Sequence, residues 1–181
     1  MESLEELALE AASGDRDAFA EIYEYLVEAI YSYLYWNLGS REDAEDLTEE
    51  VFLRCLVNID SYNPRRGAFK AWAFRIARNL MVDHQRRGSK RAQSGLKEEL
   101  EQCLPGPPER VEEEERAKAL REALEDLTFM QRQVILMKFF AGMSNAEAAS
   151  ALGRRKGAIN ALQHRAFRRM GKILEDRGWR S

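Results

Sequence analysis

Apolar residues recur at steps of three and four along most of this chain, the spacing of amphipathic helices. From about Asp17 to Leu38 they form a run rich in Tyr, Leu and Ile, and Gly39 follows where a helix C′ residue belongs. Ser40 with Asp43 three residues on has the form of a capping box, and Ala44, Leu47, Val51, Cys55 and Leu56 continue at helical spacing. After the turn Asn63–Gly67 (NPRRG), a helix from about Ala68 to Arg87 places Trp72, Ile76, Leu80 and His84 at four-residue steps. The periodicity then fails around Leu104–Pro108, and Arg91–Glu115 holds three of the four prolines. Two more capping boxes follow. Thr128 with Gln131 opens a helix to about Ala141, and Ser144 with Glu147 opens a short one to about Leu152. Gly153 turns the chain into a last helix, about Lys156 to Glu175, with Ile159, Leu162, Ala166, Met170 and Ile173 on one face.

The pattern predicts an all-α chain of two small helical domains, 1–90 and 109–181, joined by a flexible linker over 91–108. Fully extended, that linker reaches up to about 60 Å. Composition agrees: 181 residues with 45% hydrophobic content suffice for packed cores, and Gly (11) and Pro (4) are sparse. Two cysteines, Cys55 and Cys103, have no metal-type spacing, and a reducing cytoplasm is expected for them. The acidic start MESLEELALE lacks the basic-then-apolar form of a signal peptide, and no apolar run approaches the ~20 residues of a membrane span.

Charge sharpens the picture. The net charge is only −3, but residues 1–50 carry 2 bases and 15 acids, while 61–91 carry 9 bases and 1 acid. Residues 92–127 are again acidic (5 bases, 11 acids), and 154–181 again basic (9 bases, 2 acids). A single charged run is usually a solvated helix face. Two basic blocks alternating with two acidic ones point to nucleic acid.

The short helix, the glycine turn and the long basic helix form a helix-turn-helix candidate. The second helix of such a motif enters the major groove with its N-terminal residues at base edges. Those positions include Arg154, Arg155, Lys156, Asn160, Gln163 and His164; Arg reads guanine, and Asn or Gln reads adenine. Arg165, Arg168, Arg169 and Lys172 lie where phosphates are met. Ala148, Ala149 and Ala151 let the second helix pack closely on the first.

Three segments, in order, resemble an extracytoplasmic-function (ECF) sigma factor of the sigma-70 family over nearly the whole chain. Asp43–Cys55 (DAEDLTEEVFLRC) resembles the family's acidic polymerase-binding helix, and Phe69–Arg87 (FKAWAFRIARNLMVDHQRR) its promoter-melting, −10-reading helix. Leu127–Gly153 with the following helix resembles the −35-reading domain. No third folded domain fits between the second and third segments, which marks the short ECF type.

The resemblance implies roles and partners. Glu45, Asp46, Glu49 and Glu50 would dock on the β′ clamp helices of core RNA polymerase, which is also contacted through its β subunit. Asn63, Arg65, Arg66 and Phe69 match the loop that receives a base flipped from the −10 element, with Trp72 and Phe74 in or beside it. Trp72, in step with Ile76 and Leu80, also reads as core. Arg75, Arg78, Asn79, Asp83, Arg86 and Arg87 match the helix that contacts −10 DNA, with Asp83 alternatively orienting an arginine. Promoter DNA and an anti-sigma protein, often membrane-anchored in this family, are the further expected partners. No cofactor, metal or small-molecule substrate is implied. The linker acids Glu98, Glu99 and Glu101 either mimic RNA phosphate in the polymerase cleft or form a plain spacer.

The final helix departs from the family's common V-K-S-R-L-H-R-A. Here it reads Ile159-Asn160-Ala161-Leu162-Gln163-His164-Arg165-Ala166, so base preference does not transfer. A stand-alone helix-turn-helix regulator would leave Phe69–Arg87 unexplained. A carboxylate metal site at Glu45–Glu50 has no histidine near it, and no nucleophile–base pair or phosphate loop supports an enzyme.

Overall fold

The computed structural model describes residues 3–93 and 111–176. Most of the expected linker, including Glu98, Glu99, Glu101 and Cys103, lies outside the described residues. The described elements are helical, with no strand among them. They are α1 (Leu4–Ala12), α2 (Arg16–Leu38), α3 (Arg41–Val57), α4 (Phe69–Gln93), α5 (Val111–Glu125), α6 (Phe129–Phe139), α7 (Asn145–Leu152) and α8 (Lys156–Asp176). Two 3₁₀ turns, Ile59–Ser61 and Pro64–Arg66, shape the connection from α3 to α4. The helix α4 runs six residues beyond Arg87, into the start of the expected linker.

Local chemistry sets the helix ends. Ser3 and Glu6 form a reciprocal capping box on α1, a helix that the sequence pattern alone did not single out. Thr128 with Gln131 and Ser144 with Glu147 do the same for α6 and α7. Ser40 caps α3 by accepting from the Asp43 amide at 3.2 Å. The helices α2 and α7 stop at Gly39 and Gly153, whose φ values of 72° and 61° lie in the left-handed region open to glycine.

The N-terminal module packs α2, α3 and α4 around Ile22, Leu26, Ile30, Leu34, Val51, Phe74 and Met81, all fully buried. Each such side chain contributes about 1.5–3 kcal/mol relative to exposure. The buried stripe of α4 is Phe69, Ala73, Phe74, Ala77, Leu80 and Met81. It is rotated from the expected line, which leaves Trp72, Ile76 and His84 only partly covered. On α3, Leu56 is 48% exposed rather than core. In the C-terminal module, Val134, Leu136 and Met137 of α6 meet Ala148, Ala149 and Ala151 of α7 and Ile159, Ala166 and Met170 of α8.

The two modules are packed on each other. One apolar cluster runs through both, and Trp36 stacks on Phe140 with ring centroids 5.9 Å apart. At the seam Gln133 of α6, 0% exposed, accepts a hydrogen bond from the Tyr33 hydroxyl. Its amide nitrogen donates to Asn37 Oδ1 at 2.6 Å. The Asn37 amide nitrogen in turn donates to the Tyr33 carbonyl at 2.7 Å. Burial holds the Tyr33 hydroxyl far above the usual tyrosine range, so it remains a donor.

Candidate nucleic-acid interface

The connection from α3 to α4 forms a small pocket. Ser61, Tyr62, Asn63, Arg66, Gly67, Ala68, Trp72 and Arg75 line it, together with Ser150 of α7. Several local bonds fix its shape. The Asn63 side chain accepts from the Arg65 amide at 2.9 Å, capping the turn over Pro64–Arg66. The Tyr62 hydroxyl donates to the Gly67 carbonyl at 3.2 Å, and burial followed by the nearby Glu5 charge pushes its pKa up to about 12. The Glu5 carboxylate accepts from the Phe69 amide at 3.0 Å, so α1 caps the start of α4.

An aromatic trio backs the pocket: Tyr62 to Phe69 at 5.0 Å, Phe69 to Trp72 at 5.2 Å, and Tyr62 to Trp72 at 5.7 Å. Only Trp72 of the Phe69–Trp72 pair lines the opening. Phe69, expected at the site, is 0% exposed and supports Trp72 from behind; Phe74, also 0% exposed, packs edge-on to Tyr33. A buried ring offers no face to a base, so both are corrected to core positions.

Beyond the pocket, α4 presents a basic surface. Arg65, Arg66, Asn79, Asp83, Arg86 and Arg87 are exposed. The Asp83 carboxylate lies 4.0 Å from Arg86, and the Asp83 backbone carbonyl accepts from Arg87 Nε at 3.4 Å. Arg75 and Arg78 are turned toward the C-terminal module. Arg75 donates to the Ser150 carbonyl at 2.7 Å, and the Arg78 guanidinium lies 5.8 Å from the Phe129 ring centroid.

On α8 the apolar line Ile159, Ala166 and Met170 is buried, and Lys156, Asn160, His164, Arg165 and Arg168 are exposed on the rest of the helix, as are Arg154 and Arg155 in the turn before it. Gln163 is half-buried. Asn160 is already engaged: its Oδ1 accepts from Asn145 Nδ2 at 2.5 Å. Arg169 is also engaged, donating to Asp126 at 2.7 Å. That hydrogen bond and charge hold the Asp126 carboxyl below its ordinary range.

On α3, Glu45 pairs with Arg41 at 2.8 Å and Glu50 with Arg54 at 2.7 Å, while Asp46 and Glu49 are exposed. Leu53 and Val57, 56% and 71% exposed, continue the line of Asp46 and Glu49 at helical spacing. The surface is thus half acidic and half apolar. The apolar half is not part of the expected helical line of α3, which runs only through Ala44, Leu47, Val51, Cys55 and Leu56 and gives Leu53 and Val57 no role. Among the described residues no group of three His, Cys, Asp or Glu is placed to hold a metal, and no helix is long and apolar enough to cross a membrane.

Comparison with known proteins matches both modules to regions of the sigma-70 family. Residues 22–91 match Sigma-70 region 2, and residues 117–170 match Sigma-70, region 4. The chain is 35% identical to the ECF RNA polymerase sigma factor BldN of Streptomyces coelicolor, across 94% of this chain and 66% of that one. It is 31% identical to the ECF RNA polymerase sigma factor SigW of Bacillus subtilis, across 90% of this chain and 92% of that one. It therefore spans just under two thirds of BldN and nearly all of SigW. The solved structure of CnrH in complex with the cytosolic domain of CnrY is similar with a TM-score of 0.73 and 25% identity, over 94% of this chain and 96% of that one. The chain belongs to the ECF RNA polymerase sigma factors of the sigma-70 family.

Proposed function

We propose that this chain is the promoter-specificity subunit of a bacterial RNA polymerase, working in the cytoplasm without covalent chemistry of its own. The N-terminal module docks on the β′ clamp helices through Asp46 and Glu49, with Leu53 and Val57 adding apolar contact beside them. Exposed acids set on-rate and register, and the apolar pair slows release. The pocket beside Trp72 receives a base flipped from the −10 element. Arg65, Arg66, Arg86 and Arg87 hold the flanking phosphates. The helix α8 enters the −35 major groove, and the exposed, edge-on pair Phe139 and Phe167 meets the β subunit. The relative CnrH is captured with the cytosolic domain of CnrY, which supports an anti-sigma partner for this chain as well.

The observation that carries this reading is the aromatic-backed pocket at the head of a basic helix, in one chain with a capped helix-turn-helix. The test is transcription in vitro with core polymerase on a fragmented genomic library. Defined start sites that appear only with the chain are expected. DNA binding at full strength without polymerase, by a dimer in size exclusion, would instead make it a stand-alone regulator.

A further inference from the structure

Two asparagines meet across the helix-turn-helix. Asn145 is the first residue of α7, set by the Ser144–Glu147 capping box, and is half-buried. Asn160 is exposed, about one turn into α8. The Asn145 amide nitrogen donates to Asn160 Oδ1 at 2.5 Å. Asn145 Oδ1 is itself buried and has no hydrogen-bond partner. Turning both amides over would keep one bond between them but would put an amide nitrogen in that buried place. A buried N–H without a partner is rarer than a buried carbonyl oxygen without one. Asn145 is therefore the donor of the pair and Asn160 the acceptor.

This direction decides what Asn160 can show to DNA. A free asparagine offers a donor and an acceptor together, the pattern that adenine matches in the major groove. Asn160 has its oxygen turned to α7, and its nitrogen, with two N–H groups, is left to face outward. A lone donor matches guanine N7 and O6 or thymine O4. It leaves the amino groups of adenine and cytosine unmet. Gly157, Ala158 and Ala161 beside it are exposed and small, which lets this stretch of α8 approach base edges closely.

We infer that Asn145 is a positioning residue that makes Asn160 a lone hydrogen-bond donor, so that α8 selects a keto base, guanine or thymine, at one position of the −35 element. This rests on α8 reading that element. The bond also fixes an exposed side chain before DNA arrives, which reduces the rotamer entropy lost on binding. Discrimination against the amino bases at that position is about three- to tenfold, the net worth of one hydrogen bond.

The test is holoenzyme selection from a promoter library randomised across the −35 element, at pH 8, where an introduced carboxyl is ionised. Asn160→Ala marks the position: the base pair whose preference it relaxes is the one that Asn160 reads. Asn145→Asp then reverses the pair. A carboxylate only accepts, so the Asn160 amide turns over, donates inward and presents its oxygen to the groove. At the marked position the favoured and disfavoured classes should exchange, keto for amino on the same strand, by about three- to tenfold. An acid in the first turn of a helix is favourable, so α7 should stay folded. If thermal unfolding shows otherwise, Asn145→Ala takes its place, and the amino bases should then be tolerated beside the keto bases. In a chain that also carries Asn160→Ala, no substitution at 145 should move the preference at that position, because Asn145 acts only through Asn160. The inference is overturned if the substitutions at 145 change only overall affinity, if the exchange persists without Asn160, or if Asn160→Ala relaxes no position while others stay selective. A parent holoenzyme that selects nothing across the −35 element would defeat the reading of α8 itself, and the inference with it.

Discussion

Replacing Phe69 and Trp72 separately should split stability from promoter melting. Phe69 is 0% exposed, with Tyr62 and Trp72 packed on it at 5.0 and 5.2 Å. Truncating such a ring costs about 3–5 kcal/mol. For a chain of this size, each kcal/mol lowers Tm by about 2–4 °C, so Phe69→Ala should melt roughly 6–20 °C lower. Trp72 is half-buried and lines the pocket, so Trp72→Ala should lose about 1–2 kcal/mol of packing. The assay pairs thermal unfolding with permanganate footprinting of the holoenzyme, at a temperature where every variant is folded. Trp72→Ala should lose most reactivity of unpaired thymines near −10, and Trp72→Phe should recover part of it. Phe69→Leu, which keeps an apolar prop behind Trp72, should melt promoters close to normally. Normal thymine reactivity in folded Trp72→Ala would remove the pocket from the melting step. A Phe69→Ala chain within about 2 °C of the parent would show that the ring is not supporting the fold.

Other outcomes are equally direct. Asp46→Lys with Glu49→Lys should leave the fold intact but weaken retention of core polymerase, an effect shrinking as salt rises; equal retention at every salt concentration would refute it. Asp126→Ala removes the acceptor and releases Arg169, and the log–log salt dependence of promoter binding should steepen by about one unit. An unchanged slope means that Arg169 does not reach phosphate. Asn145→Ala frees the Asn160 oxygen, so preference at one −35 position should shift toward adenine, which needs a donor and an acceptor together; a library selection returning the parental preference would exclude this. Burial pushes the Cys55 thiol up to about 12, so in a Cys103→Ser chain it should stay unreactive to a disulfide reagent at pH 8 until the chain is unfolded.

The sequence is most informative where a local rule has one solution. Reciprocal caps at Thr128 and Ser144 and glycine stops at 39 and 153 mark helix ends directly, because each satisfies backbone groups within four residues. The apolar line of α8 is equally plain, since one face is buried and the other is charged. Burial direction on α3 and α4 is harder to read. Both helices carry apolar residues on more than one face, and only tertiary packing decides that Phe69 is inside and Leu53 outside. Pairings such as Asn145 with Asn160, or Arg169 with Asp126, join residues 15 and 43 positions apart and leave no periodic trace. The seam is the least legible feature, because Gln133 is a polar residue in a register where only another module's Tyr33 and Asn37 make burial tolerable.

That glutamine also limits how freely halves of such proteins can be exchanged. In a chimera joining this N-terminal module to a relative's C-terminal one, a leucine at the position of Gln133 would strand the Tyr33 hydroxyl and Asn37 Oδ1 together. Each group left unpaired costs about 1–3 kcal/mol. Such a hybrid would hold its halves together poorly even with every DNA-facing residue kept. Tyr33, Asn37 and Gln133 therefore have to be transplanted as a set, however far apart they stand in the chain.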